Sequence, residues 1–204
     1  HQKLSENFIR EFQDKVNWTY ISEYQILSEN FICEFQDKVY WNCISCYQKL
    51  SENFIREFQD KVYWSYTPIY QKLSEEFIRE FQDKVDWDYI SKFQNLSEDF
   101  IIEFQNRVNW DYISEFSLCF NSSKFKVIFN LHIENINFSL FSVRTDTGLD
   151  EYLIEQYIDK NWDWNTLVIN PSIDFSFKFI DKHIDKPWDW NFLSKRSDFI
   201  LTED

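Results

Sequence analysis

The amino-acid sequence predicts an all-α fold, an α-solenoid of about eight short two-helix repeats. Three observations carry that expectation. One phrase, Leu-Ser-Glu-x-Phe-Ile-x-Glu-Phe-x-Asp-Lys-Val-x-Trp-x-Tyr-Ile-Ser, recurs with its indole at Trp18, Trp41, Trp64, Trp87 and Trp110, every 23 residues. The anchor position then returns at Phe138, Trp164 and Trp190, after gaps of 28, 26 and 26 residues. Within each copy the apolar residues fall at helical steps, and the chain holds a single glycine, Gly148, so glycine hairpin turns are absent.

The copy from Leu73 to Asn95 shows how each element arises. Ser74 offers a hydroxyl to free N–H groups, and Glu75 and Glu76 follow in the positive first turn of a helix. Leu73, Phe77, Ile78 and Phe81 fall on one stripe, with Val85 a turn further on; Glu76, Arg79, Glu80 and Gln82 lie opposite. Asp83-Lys84 makes the turn, and Asp86 caps a second short helix through Trp87, Ile90 and Phe93, with Tyr89 alongside. Helices of two turns are marginal alone, so each unit needs its neighbours to cover its open aromatic flanks. Two features compete with this reading. Val16, Trp18 and Tyr20 also alternate with period two, which suits a strand. Pro68 stands where sibling copies carry Ser22, Ser45, Ser91 and Ser114, so that helix either starts late or kinks.

Residues 1–116 read as five regular repeats, and 117–204 as three longer, divergent repeats continuous with them. Segments 136–142, 162–167 and 188–194 still follow the template of residues 85–91. Asn170-Pro171-Ser172 reads as a turn that launches a helix, and residues 142–149 as the most loop-like stretch, a hinge between the two kinds of repeat. The opening His1-Gln2-Lys3-Leu4 is in phase with Tyr47-Gln48-Lys49-Leu50, which reads as a start within an array.

Composition narrows the function classes. A net charge of -14, with acids in excess in both halves, disfavours nucleic acid and anionic membrane surfaces as partners. Aromatics are 21% of residues, enough apolar surface to argue against disorder. The longest near-apolar stretch, 125–141, is broken by Asn130, His132, Glu134, Asn135 and Asn137, and no signal-peptide pattern is present, so a cytoplasmic setting is expected. Four unpatterned cysteines fit a reducing compartment. The absence of Ala and Met, with Asn, Ile, Phe, Tyr and Lys in excess, reads as codon drift in an AT-rich genome.

The repeated phrase resembles tandem repeats in uncharacterised proteins of large amoeba-infecting DNA viruses of the mimivirus type. Asn-Pro-Ser-Ile at 170–173 and Asp-Lys-Pro-Trp-Asp-Trp-Asn at 185–191 look like a second repeat type from the same viruses. The two together cover nearly the whole chain. The resemblance implies a helical array directed at the virion or the host, and brings no catalytic residues with it.

No catalytic set, cofactor site or metal site is expected. Cys43-Ile44-Ser45-Cys46 has the spacing of a redox or half-metal motif, but sibling copies hold other residues there, so drift is preferred. His1, His132 and His183 are scattered. Asp163 and Asp189, each between two Trp, could pair a carboxylate with sugar stacking; helix capping explains them with less. Asn17, Asn121 and Asn137 sit in glycosylation sequons expected by chance. The candidate partner-binding positions are those that vary at fixed phase: Asn17, Tyr40, Tyr63, Asp86 and Asn109 at one place, Thr19, Asn42, Ser65, Asp88 and Asp111 at the next. The function expected is a non-catalytic scaffold that binds a partner protein, as a monomer or with end-to-end self-association. A self-assembling structural component is the alternative, and an enzyme or carbohydrate binder ranks lowest.

Overall fold

A computed structural model describes residues 2–116, 132–145 and 149–195. Among the described residues there are fifteen helices and no strand, so the alternation around Trp18 does not make a strand. The chain folds as two compact units, His1–Gln94 and Asn95–Asp204.

In the first unit, α1 (Glu6–Glu11), α3 (Glu29–Glu34), α5 (Glu52–Glu57) and α7 (Glu75–Glu80) are the first helices of four repeats. Each is capped as the phrase predicts: Ser5, Ser28, Ser51 and Ser74 accept the N–H three residues on. The following glutamate also reaches the next repeat, where Glu6, Glu29 and Glu52 accept the backbone N–H of Ser28, Ser51 and Ser74. The stripe of Leu27, Phe31, Ile32, Phe35 and Val39, with its homologues in the two following repeats, is the core.

The second helices are α2 (Trp18–Tyr24), α4 (Trp41–Tyr47), α6 (Thr67–Tyr70) and α8 (Trp87–Phe93). They pack side by side in chain order, α2 on α4, α4 on α6 and α6 on α8. Each indole pins the turn between helices, with Trp18, Trp41, Trp64 and Trp87 Nε1 donating to the carbonyls of Gln13, Gln36, Gln59 and Gln82 at 2.8–2.9 Å. Its ring lies against the next repeat: Trp18 on Phe31 and Phe35, Trp41 on Phe54 and Phe58, Trp64 on Phe77 and Phe81. The indoles therefore occupy equivalent surroundings, as a stacked array requires.

Polar side chains fix the register between repeats. Ser22 and Ser45 donate to Trp18 O and Trp41 O and accept the N–H of Tyr40 and Tyr63. Gln48 and Gln71, both buried, accept the N–H of Leu27 and Leu50. Each donates to two carbonyls of the preceding repeat, Ser22 and Gln25 for the first, Ser45 and Gln48 for the second. These bonds join backbone groups that no helix or sheet would otherwise satisfy.

Pro68 makes its helix start late: α6 begins at Thr67, three residues beyond the position of Trp41 in α4, with Pro68 in the first turn where a missing N–H is harmless. It also removes the serine hydroxyl that would meet the N–H of Asp86. Pro68→Ser should lengthen α6 and restore that bond, raising stability by about 1–2 kcal/mol. Urea titration of the two proteins measures this, and an unchanged midpoint would contradict it.

In the second unit, α9 (Glu98–Glu103) and α10 (Trp110–Phe116) repeat the same pair. Then come α11 (Phe138–Phe141), α12 (Glu151–Gln156), α13 (Trp164–Ile169), α14 (Phe177–Lys182) and α15 (Trp190–Leu193). Here α10 packs on α11 and α13 on α15. The serine relay persists: Ser114 accepts Asn137 N–H, and Ser142 accepts Asp163 N–H. Asn170 takes over the glutamine's work, donating to the carbonyls of Ser142 and Arg144.

Three details differ from expectation. Pro171 follows α13 in a turn, but α14 starts only at Phe177, under a cap from Ser176. The indole bond passes to Trp162 and Trp188, which donate to Tyr157 O and His183 O. Trp164 and Trp190 keep the first helical position without it, and Trp190 is 51% exposed. The larger side chain at the old valine position reaches the turn first. Of the expected hinge, residues 146–148 lie outside the described residues, as do His1, Cys119 and Asn121.

Candidate functional site

The ten predicted positions lie at the starts of the second helices. Asn17, Asp86 and Asn109 are caps, each side chain accepting the N–H groups two and three residues on. Tyr40 precedes α4 without any side-chain cap, and Tyr63 precedes a turn; both rings are about half exposed. In the adjacent row Asn42, Ser65, Asp88 and Asp111 are exposed and Thr19 is half-buried. Asn42 Oδ1 accepts Cys43 N–H, and Asp111 accepts from Asn137 Nδ2 at 2.7 Å.

Helical geometry places a larger group beside the first row. Residues three and seven positions after the cap share its face. In the first unit these are Tyr20 and Tyr24, Cys43 and Tyr47, Tyr66 and Tyr70, Tyr89 and Phe93. Ring contacts trace a strip along that face: Tyr20 to Tyr24 at 6.1 Å, Tyr63 to Tyr66 at 5.3 Å, Tyr66 to Tyr70 at 6.5 Å, Tyr89 to Phe93 at 6.1 Å. Tyr47 meets Tyr70 of the next repeat at 6.4 Å. Tyr24, Tyr47, Tyr70 and Phe93, one per repeat, are 44%, 58%, 53% and 45% exposed.

Sequence reasoning runs the second helix through Trp87, Ile90 and Phe93 and does not single out this strip. Trp87, Ile90 and Phe93 are evenly spaced, but the inward face of the second helix is Ile90 and Ser91, leading to Gln94. The signal was present: an aromatic at 24, 47, 70 and 93, immediately before a glutamine each time. Only the recognition that serine and glutamine face inward turns those rings outward.

One acid, Glu23, acts on the strip at Tyr24 and Tyr47. The Tyr24 hydroxyl is pushed above its ordinary range first by its hydrogen bond with Glu23, then by burial. Tyr47 is raised first by the Glu23 charge and then by burial. Cys33, Cys43 and Cys46 are free and half-buried, and desolvation raises each thiol, which suppresses the thiolate that redox or metal chemistry needs. No group of three or more metal-ligating side chains occurs among the described residues.

Concave regions among the described residues include two. One, about 580 Å³, is lined by Leu4, Val16, Asn17, Tyr20, Ile21 and Gln25. In the next repeat Leu27, Val39, Ile44 and Gln48 are buried. Of the residues lining the hollow, Ile21 and Gln25 are themselves buried, and Leu4 and Val16 are half-buried. The other lies in the second unit beside Glu155, which receives Lys182 Nζ and meets His183 Nε2 at 2.5 Å. His183 packs on Phe179, and His132 on Trp110. Asp163 and Asp189 are helix caps, the first accepting Asn165 and Thr166 N–H and the second Phe192 N–H.

The Glu155 carboxyl is held below its ordinary range, first by the hydrogen bond from Lys182 and then by that from His183. Its folded value lies under the 4.5 of a free carboxyl, so its contribution is present above that pH and is lost as pH falls through the folded value. Glu155→Gln should therefore flatten the acid limb of a plot of Tm against pH. An identical acid limb in the variant would remove this role from Glu155.

No family model, no curated protein and no solved structure matches the chain. No helix among the described residues is long and apolar enough to cross a membrane. Fold and surface together define an all-α repeat protein with an outward aromatic strip in its first unit.

Proposed function

We propose that the protein is a non-catalytic scaffold that binds a partner protein through the aromatic strip of its second-helix layer. The carrying observation is the row Tyr24, Tyr47, Tyr70 and Phe93, exposed at the same phase of four successive repeats. Tyrosine supplies large, amphipathic contact area, which is why it is enriched where proteins meet. The predicted row of variable positions, Tyr40 and Tyr63 above all, borders the same face and would extend the footprint. By the resemblance of its repeats, the protein is of giant-virus origin and acts in the host cytoplasm on a host or virion protein. Nucleic acid and membrane partners do not fit its negative charge.

Affinity capture from amoebae, with the wild type and a Tyr47→Ser/Tyr70→Ser variant as baits, tests this reading. Proteins retained by the wild type should be lost with the variant; the same proteins on both baits would exclude the strip. The second reading, self-assembly, draws on the hollow lined by Leu4, Val16 and Tyr20. Light scattering across concentration separates the two, since stacking grows with protein concentration and a binding module does not.

A further inference from the structure

Most aromatic rows of the first unit carry their own cations. Arg10 and Arg56 lie 5.0 Å from the ring centroids of Phe31 and Phe77. Lys38, Lys61 and Lys84 stand 5.7–5.8 Å from Trp18, Trp41 and Trp64. On the outward strip itself Lys92 lies 5.5 Å from the centroid of Phe93, so one ring of that row already holds an ammonium group from its own chain. Among the described residues no lysine or arginine lies over Tyr47 or Tyr70, which stand 6.4 Å apart and more than half exposed.

That separation has a counterpart in polypeptide geometry. An extended chain rises about 3.3 Å per residue and returns a side chain to the same face every second residue, a step of roughly 6.6 Å. Charge selects what those side chains carry. The chain is at -14 overall, and Glu23 lies close to the hydroxyls of both Tyr24 and Tyr47. A cation above a tyrosine face is drawn by the ring quadrupole and by these acids together.

We propose that the strip takes an extended, basic segment of the partner, with Lys or Arg at every second position and one cation over each of Tyr47 and Tyr70. This deepens the binding reading above and rests on it.

The test uses the full chain and two fluorescein-labelled peptides of equal composition. One alternates Lys and Ser along a length that spans the strip; the other groups the same lysines and serines in blocks. Fluorescence anisotropy should show the alternating peptide binding about tenfold tighter, and Tyr47→Ser/Tyr70→Ser should bring it down to the level of the block isomer. Tyr47→Phe/Tyr70→Phe should leave it unchanged. Equal affinity of the two isomers for the wild type would overturn the proposal, whatever the variants do, because only net charge would then be recognised. Undiminished binding by a serine variant with unaltered circular dichroism would overturn it as well. If amoebal proteins are lost with the serine variant yet the two isomers bind alike, the interaction surface stands and the extended basic occupant falls.

Discussion

Replacement of Gln48 by alanine is expected to destabilise the first unit by roughly 3–5 kcal/mol, because three backbone groups lose their partner at once. Leu27 N–H would no longer reach Oε1, and the carbonyls of Ser22 and Gln25 would lose Nε2. The side chain is only 4% exposed, so water does not readily take its place. A cost of this size is a large part of the stability of an ordinary domain and should appear as a clear fall in the urea midpoint. Gln71→Ala should cost about the same, since Gln71 makes the homologous bonds to Leu50, Ser45 and Gln48. Gln48→Met separates causes: it keeps length and apolar volume but restores no hydrogen bond. If methionine recovers most of the loss, the cost lies in the cavity and the clamp argument fails.

Phe77→Ala should cost roughly 3–5 kcal/mol through lost burial and the cavity left behind. Phe77 is fully buried, 6.2 Å from Trp64 and 4.7 Å from Phe81, with Arg56 over its face. Tyr70→Ala removes a ring of similar size from the preceding repeat and should change stability by only about 0.5 kcal/mol, because Tyr70 is 53% exposed. The contrast between two aromatic truncations in adjacent repeats is the sharpest check on which face is inside. Comparable losses would mean that the strip is part of the core and is unavailable to a partner. Both variants can be followed by urea titration, with the fluorescence of the Trp64 region reporting local repacking.

Much of the architecture is legible in the primary structure. The period of 23 residues, the serine caps and the stripe of Leu73, Phe77, Ile78, Phe81 and Val85 depend on interactions within one helix or one turn, and each has a local signature. The late start of α6 at Pro68 is equally local. The cap row of the candidate face was legible too, because residues that vary at constant phase can be aligned by eye.

Most of what lay hidden depends on a group in another repeat, 18–26 residues away. Ser45 and Gln48 look like surface residues until the adjoining repeat supplies Tyr63 N–H, Ser22 O and Gln25 O. Trp190 looks like the anchor of its motif until the turn carbonyl at His183 takes the indole of Trp188 instead. By itself the order of residues determined that the chain is a stack of short capped helices, since capping and apolar spacing act within a few residues of each other. Only the tertiary structure decided that serine and glutamine point inward and tyrosine outward, because a buried polar group is tolerated where a partner meets it, and that partner belongs to another repeat.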